Sequence, residues 1–142
     1  KVVFSDIHED NVDVELSFFD GQSAKFTCEN VGFDRVLTES DFISVHVPGG
    51  DLIGASELAK MKDGVVLLNA ARGGVINEEA LLDALESGKV AGAGLDVFVN
   101  EPTPAVKVLM NGKLSVTPHI GAATLEAQDR IGTELAAHID AI

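Results

Sequence analysis

The side chains best able to do chemistry in this sequence stand directly after apolar segments that are typical of strands. These polar residues are Asp6, His46, Asn69, Arg72, Asp96 and His119. In a parallel α/β sheet, ligands bind beyond the carboxyl ends of the strands. We therefore expect the six side chains to line one crevice, where arginine can bind an anion and histidine can exchange protons near neutral pH.

The first 30 residues have the pattern of strands. Lys1–Asp6 is predicted to be a short buried strand that ends on an acid. Four apolar residues then alternate with polar ones, with the period of a half-buried strand: Val12, Val14, Leu16 and Phe18. Asp20 and Gly21 are typical of a hairpin turn, so we expect Ala24–Cys28 to return antiparallel.

Residues 31–142 alternate between helix and strand. The predicted strands are Phe42–Val47, Val65–Leu68, Val90–Val97 and Leu114–Thr117. The run Val65–Leu68 is apolar throughout, which is typical of a strand buried on both faces of a parallel sheet. Such short alternating units predict one domain of the α/β class with a parallel sheet.

Helices are predicted between these strands. One spans Phe33–Thr38, a second is capped by Ser56 and runs to Lys62, a third begins after Asn77 and ends at Gly88, and a fourth starts at Thr124. Ser and Asn are favourable N-caps, and acids in the first turn of the third helix match the helix dipole. The last helix places four apolar residues on one face: Ala127, Ile131, Leu135 and Ile139.

The composition excludes several classes of function. A net charge of −13 over 142 residues disfavours binding to nucleic acid or to an anionic membrane. The single cysteine, Cys28, cannot form an internal disulfide and is typical of a reducing compartment such as the cytoplasm. The four histidines lack the clustered spacing of a metal site, so we expect no metal. The chain opens on Lys1 rather than Met, which indicates that residues upstream were removed or left out.

Four motifs occur in a characteristic order. They are His46-Val47-Pro48, then Asn69-Ala70-Ala71-Arg72-Gly73-Gly74, then Gly94-Leu95-Asp96-Val97-Phe98 continuing to Glu101-Pro102, and finally Thr117-Pro118-His119-Ile120-Gly121-Ala122-Ala123-Thr124. From Phe42 to the C-terminus, this order and spacing resembles the NAD-dependent D-2-hydroxyacid dehydrogenase family. Its phosphoglycerate dehydrogenase branch is the most similar.

The resemblance implies a Rossmann-type, doubly wound parallel sheet and hydride transfer between NAD and a D-2-hydroxyacid. It favours 3-phosphoglycerate, an intermediate of serine biosynthesis, as the substrate. By the same resemblance Arg72 would bind the substrate carboxylate, because its planar fork pairs bidentately with a carboxylate. His119 would be the acid/base, and Glu101 would bind the other imidazole nitrogen.

The resemblance also implies where NAD binds. Asp6 would bind the adenosine ribose hydroxyls, which favours NAD over NADP. Positions lining the dinucleotide would be Val47, Pro48, Ala70, Ala71, Arg72, Asp96, His119, Gly121 and Ala122. Several of these are small residues, which allow the backbone to approach a ligand closely.

The chain lacks two parts of that family's pattern. A glycine-rich Gly-x-Gly-x-x-Gly turn is expected about twenty residues before Asp6, and the substrate domain is largely absent. Residues 1–142 are thus predicted to be a partial NAD-binding domain, incomplete at its N-terminus and inactive in isolation. The family also implies that the small-molecule partner is a 2-hydroxy or 2-keto acid. It further implies that the protein is a homodimer.

Each candidate also has a purely structural interpretation. His119 alone could cap a strand end, Arg72 could be a surface residue in a glycine-rich turn, and Glu101 could be a solvated acid before proline. Asp6 alone is equally consistent with a strand closing into a turn. At the level of function, the alternative is an NAD(H)-sensing, corepressor-like module of the same fold without significant turnover.

Overall fold

The computed structural model describes residues 1–140, so the last two residues of the predicted domain lie outside the described part. Its elements are β1 (Asn11–Ser17), β2 (Ser23–Glu29), α1 (Phe33–Glu39), β3 (Phe42–Val45), α2 (Ala55–Lys60), β4 (Val65–Asn69), α3 (Glu78–Ser87), β5 (Val90–Leu95), α4 (Val106–Leu109), β6 (Leu114–Val116) and α5 (Leu125–Asp140). The predicted alternation of strand and helix after residue 31 is confirmed.

The main sheet has four strands in the order β3-β4-β5-β6, and every neighbouring pair is parallel. Parallel pairing brings the carboxyl ends of these strands to one edge, which is where Asn69 and Asp96 stand. The predicted parallel α/β sheet is therefore confirmed. Strands β3 and β5 are shorter than expected, since they end at Val45 and Leu95.

The core covers one face of the sheet. Its fully buried side chains include Leu37 of α1, Leu67 of β4, Leu81 and Leu85 of α3, and Val90 of β5. The prediction that β4 is buried on both faces is wrong, because Leu68 is 45% exposed. The Leu68 side chain packs instead on the neighbouring strand β5, over Gly94. A Cβ at Gly94 would lie 2.8 Å from Cδ2 of Leu68, so the absence of a side chain there makes room for the leucine.

The predicted hairpin is confirmed. Strands β1 and β2 pair antiparallel from Asn11↔Glu29 to Ser17↔Ser23. Gly21 has a φ of +83°, and its N–H donates to the carbonyl of Phe18, so the turn uses the conformational freedom of glycine.

Two local predictions are wrong. Lys1–Asp6 makes a single bridge, between Phe4 and Asn30, instead of a strand. A parallel strand needs a neighbour, and in a complete Rossmann order another strand lies between this segment and β3. Ser56 is not the cap of α2, because the cap lies two residues earlier, at Gly54, whose N–H donates to Glu57 at 2.9 Å. The Ser56 hydroxyl donates to the same carboxylate.

The third and last helices begin as expected. Asn77 accepts a hydrogen bond from the Ala80 N–H and caps α3, and Gly88 ends that helix in the left-handed conformation. Thr124 accepts from the Ala127 N–H at the start of α5. Residues Ile131 and Leu135 of α5 remain more than half exposed.

Within residues 1–140, no helix combines the length and the apolar character that crossing a membrane requires.

The two neighbouring leucines of β4 provide a test of the fold. Leu67→Ala should lower the free energy of unfolding by about 2–5 kcal/mol, because it leaves a cavity in the core. Leu68→Ala removes the same atoms from the half-exposed face and should cost clearly less. Urea denaturation of both variants measures the difference. Equal losses would contradict the assignment of the two faces.

Candidate active site

His119 lies in the loop between β6 and α5, and its ring is held by an acid from another loop. Its Nδ1 is 2.6 Å from Oε2 of Glu101, which follows β5. The backbone of His119 has a φ of +55°, which is uncommon outside glycine. The loop therefore holds this histidine in a conformation that needs support from its surroundings.

Glu101 is itself fixed by its own loop. Its Oε1 accepts a hydrogen bond from the Phe98 N–H at 2.9 Å, while Oε2 faces His119. The hydrogen bond with His119, followed by that from Phe98, lowers the pKa of Glu101 below its ordinary value. The partial burial of the carboxyl and the charge of Asp96 oppose this shift without reversing it. Glu101 is thus held as a carboxylate beside the imidazole.

Asp96 organises the loop that carries His119. Its Oδ1 accepts from the Thr117 hydroxyl at 2.5 Å and from the Ile120 N–H at 2.9 Å, and its Oδ2 accepts from the Gly121 N–H at 3.0 Å. Desolvation opposes ionisation of Asp96, but these three hydrogen bonds outweigh it and lower the pKa. The Asp96 carboxylate therefore stabilises the conformation of the loop that carries His119.

Arg72 lies in the turn that follows β4. Buried Asn69 builds this turn, because its amide donates to the Arg72 carbonyl and its Oδ1 accepts from the Ala71 N–H, both at 3.0 Å. The Arg72 side chain is exposed, and its Nη1 donates to the Ala71 carbonyl at 2.7 Å. Within residues 1–140, the structure does not bring Arg72 into the cavity that His119 lines.

That cavity has a volume of about 700 Å³ and opens beside the Glu101–His119 pair. Its wall is largely apolar and is formed by Phe98, Pro102, Pro104, Leu109, Val116, Thr117, Pro118, Ala122, Ala123 and Gln128 around the pair. The lining residues of the described chain include neither lysine nor arginine. A small substrate can reach the histidine here, but its anionic groups need a cation from outside this wall.

A second cleft, of about 480 Å³, separates the N-terminal segment from β3. Asp6, His46 and Val47 are among its lining residues. The prediction that six polar side chains line one crevice is thus wrong for the described part of the chain. Asp6 and His46 line this cleft and His119 lines the first cavity, whereas three of the six line neither: Asn69, Arg72 and Asp96. His46 makes a hydrogen bond with the Ser44 hydroxyl at 2.8 Å through Nε2.

The residues present fit a dinucleotide. Oδ1 of Asp6 accepts from the N–H groups of His8 and Glu9, which orients the carboxylate and leaves Oδ2 for a ribose hydroxyl. Pro48 and Ala70 are exposed and Ala71 is half-buried, at the edge where the strands end. Gly121 is close to Asp96, since a Cβ there would lie 3.3 Å from Oδ2. Its neighbour Ala122 lines the larger cavity.

Sequence reasoning missed three contributors to this geometry. Thr117 belongs to a recognised motif, but its bond to Asp96 crosses 21 residues of sequence. Gly73 approaches the Phe98 carbonyl so closely that a Cβ would lie 1.9 Å from that oxygen. Glu78 is one of the acids in the first turn of α3, and its Oε1 also accepts from the Val99 N–H at 2.7 Å. No local signal reveals these partners.

Solved structures resemble this fold. A glyoxylate reductase from Paecilomyes thermophila superposes with a TM-score of 0.70 at 45% identity, covering 80% of this chain and 34% of that chain. A D-lactate dehydrogenase from Aquifex aeolicus, complexed with NAD and lactic acid, gives a TM-score of 0.66 at 34% identity, with 80% and 40% covered. The parallel sheet and its edge of polar side chains thus define a Rossmann-type NAD-binding domain.

The family follows from the sequence comparisons. The family described as D-isomer specific 2-hydroxyacid dehydrogenase, NAD binding domain, matches residues 11–121. The chain is 48% identical over 119 residues to a D-3-phosphoglycerate dehydrogenase of Mycobacterium leprae, covering 81% of this chain and 22% of the relative. It is 52% identical over 114 residues to a hydroxypyruvate reductase of Thermotoga maritima, covering 75% and 37%. This chain belongs to the D-isomer-specific 2-hydroxyacid dehydrogenase family, and its cofactor is NAD.

Asp96 supports a prediction about pH. Because the folded state lowers its pKa, the stabilisation that it supplies is complete above the unfolded value of about 3.9 and disappears as the pH falls through the lower folded value. Asp96→Asn should therefore reduce stability by about 1 kcal/mol at pH 6, with a smaller difference from the parent near pH 3. Urea denaturation at both pH values measures this. Asp83→Asn, at an exposed position of α3, is the control. A difference that does not depend on pH would contradict the role of Asp96.

Proposed function

We propose that the protein containing this domain oxidises a D-2-hydroxyacid or reduces the corresponding 2-keto acid. The observation that carries the proposal is the 2.6 Å contact between Nδ1 of His119 and Glu101 beside a cavity of about 700 Å³. NAD, when bound, supplies the acceptor or donor of hydride. The residues described here bind, orient and exchange protons around that chemistry.

His119 is the proton-transfer group in this proposal. Its Nδ1 is engaged by Glu101, so Nε2 is the ring nitrogen available to the substrate oxygen. In oxidation, neutral Nε2 accepts the hydroxyl proton of the substrate. In reduction, protonated Nε2 returns a proton to the keto oxygen. The Glu101 carboxylate fixes the ring and stabilises its positive charge when the proton is held.

Arg72 is proposed to bind the carboxylate of the substrate. Its guanidinium is exposed and, among residues 1–140, makes one hydrogen bond, to the neighbouring Ala71 carbonyl. Its rigid donor fork matches a carboxylate, and exchanging one carbonyl contact for a bidentate ion pair is favourable. This cation is needed because the overall charge of −13 repels anionic substrates.

We propose 3-phosphoglycerate as the substrate, which would place the protein in serine biosynthesis. The support is the 48% identity to a D-3-phosphoglycerate dehydrogenase, although the relative at 52% identity is a hydroxypyruvate reductase. This chain spans 22% and 37% of those two relatives, so most of the length of each lies outside the matched region. A homodimer in the cytoplasm, with no nucleic-acid or membrane partner, remains a prediction that native mass measurement and cell fractionation can check.

Replacement of the acid/base tests the activity. In the full-length protein that carries this chain, His119→Ala should lower kcat by about 10²–10⁴-fold while NADH binding is retained. His138→Ala, on exposed α5, is the matched control and should match the parent. The assay follows NADH with 3-phosphoglycerate, hydroxypyruvate, glyoxylate and D-lactate. Near-normal turnover of His119→Ala would rule out the mechanism. NADH binding by the parent without turnover of any 2-hydroxyacid would favour the sensing module.

Asp6 should determine the choice between the two nicotinamide dinucleotides. Asp6→Ala removes one charged hydrogen bond to the ribose and the repulsion of a 2′-phosphate. It should weaken NADH binding by roughly tenfold and reduce the preference over NADPH. Fluorescence titration with both cofactors measures the two affinities, with exposed Asp10→Ala as the control. An unchanged preference would show that Asp6 does not contact the ribose.

A further inference from the structure

We propose that Glu78, in the first turn of α3, is a positioning residue that holds Glu101 against His119. The inference rests on the proposed function, because it assigns a supporting role within that same site. Glu78 lies outside both cavities, so it acts through the backbone of the loop that carries Glu101. It is half-buried, and it reaches this loop from an element 21 residues earlier in the chain.

Two carboxylates bind consecutive backbone N–H groups of the loop after β5. Glu78 accepts from the Val99 N–H at 2.7 Å, and Glu101 accepts from the Phe98 N–H at 2.9 Å. The first bond ties the loop to α3, and the second ties Glu101 to the loop. His119 is bound to the remaining oxygen of Glu101 at 2.6 Å. His119 is therefore connected to α3 through three hydrogen bonds to carboxylates, joined by the backbone between Phe98 and Val99.

The turn that contains Gly73 contacts the backbone of the same loop. A Cβ at Gly73 would lie 1.9 Å from the Phe98 carbonyl oxygen and 2.9 Å from the Val99 nitrogen. The turn after β4 and the loop after β5 are thus in direct contact, and only glycine allows it. Glu78 and Gly73 thus both act on the Phe98–Val99 backbone, to which Glu101 is bound.

The next residue along α3 has a different role and provides a matched control. Glu79 is also an acid in the first turn, but it pairs with Lys107 of α4. Helix capping by Asn77 and the interaction with the helix dipole are shared by both acids. An effect that Glu79→Ala does not share, and that Glu78→Gln largely reverses, is therefore attributed to the bond between Glu78 and Val99.

Loss of that bond should impair catalysis more than binding. Without Glu78 the Val99 N–H can turn to water, because the Val99 side chain is already 55% exposed and the loop lies at the surface. The loop then gains freedom, and Glu101 spends less time at bonding distance from His119. Catalytic geometry tolerates only about 0.5 Å of displacement, so a loss of about tenfold in kcat is expected. The KM for NADH should stay unchanged.

The experiment compares Glu78→Ala, Glu78→Gln and Glu79→Ala in the full-length protein. The first readout is kcat and KM. The second is the pKa of the Glu101 carboxyl, followed by carbon-13 NMR and assigned by its absence in Glu101→Gln. The charged groups that face Glu101 are His119, which lowers this pKa, and Asp96, which raises it.

We expect Glu78→Ala to lower kcat about tenfold and to raise the Glu101 pKa toward its ordinary value, because the bonds from His119 and Phe98 weaken together. Glu78→Gln keeps a carbonyl acceptor for the Val99 N–H, so its kcat and its Glu101 pKa should be closer to those of the parent than in Glu78→Ala. Glu79→Ala should match the parent. A Glu101 pKa in Glu78→Ala equal to that of Glu79→Ala would overturn the inference. The NMR readout needs no turnover, so an inactive parent protein would refute the proposed function and still leave this inference testable.

Discussion

The carboxylate of Asp96 is the interaction on which the candidate site depends. It stands just after β5 and binds three donors of the segment that follows β6, so two neighbouring strand ends become one unit. A carboxylate can accept several hydrogen bonds at once, and charged hydrogen bonds are stronger than neutral ones. The left-handed backbone of His119 sits between these anchored points. Without the anion, the strained loop would lose its main support.

The remaining polar groups extend this arrangement across the sheet edge. Glu101 uses one oxygen on its own loop and the other on His119, so a single residue both shapes the loop and orients the imidazole. Asn69 stabilises the turn after β4 in a similar way, because its amide binds the backbone of Ala71 and Arg72. This turn sets the position from which the Arg72 side chain extends. Each functional side chain is thus carried by a segment that a buried or anchored polar residue folds.

The agreement between sequence and structure is best where the signal is local. The hairpin follows from alternation and a glycine turn, and the cap at Asn77 needs only residues within one helical turn. Predictions whose outcome depends on residues elsewhere in the chain agree less often with the structure. Lys1–Asp6 has the composition of a strand, but among residues 1–140 it makes one bridge, beside the end of β2, and does not pair with the four-stranded sheet. The cap of α2 is Gly54, whose N–H binds Glu57, and not Ser56.

The sequence by itself determined the alternating α/β pattern, the family motifs and the candidates Arg72, Glu101 and His119. These are properties of residue type and spacing, which short-range sterics and hydrophobic periodicity express directly. The family resemblance implied that Glu101 binds His119, and the tertiary structure supplied the contact itself, at 2.6 Å. Only the tertiary structure decided that Asp96 binds the loop of His119 and that Arg72 lies apart from the cavity. Hydrogen bonds across 18 to 25 residues of sequence depend on how strand ends converge, and composition and spacing alone do not specify that convergence.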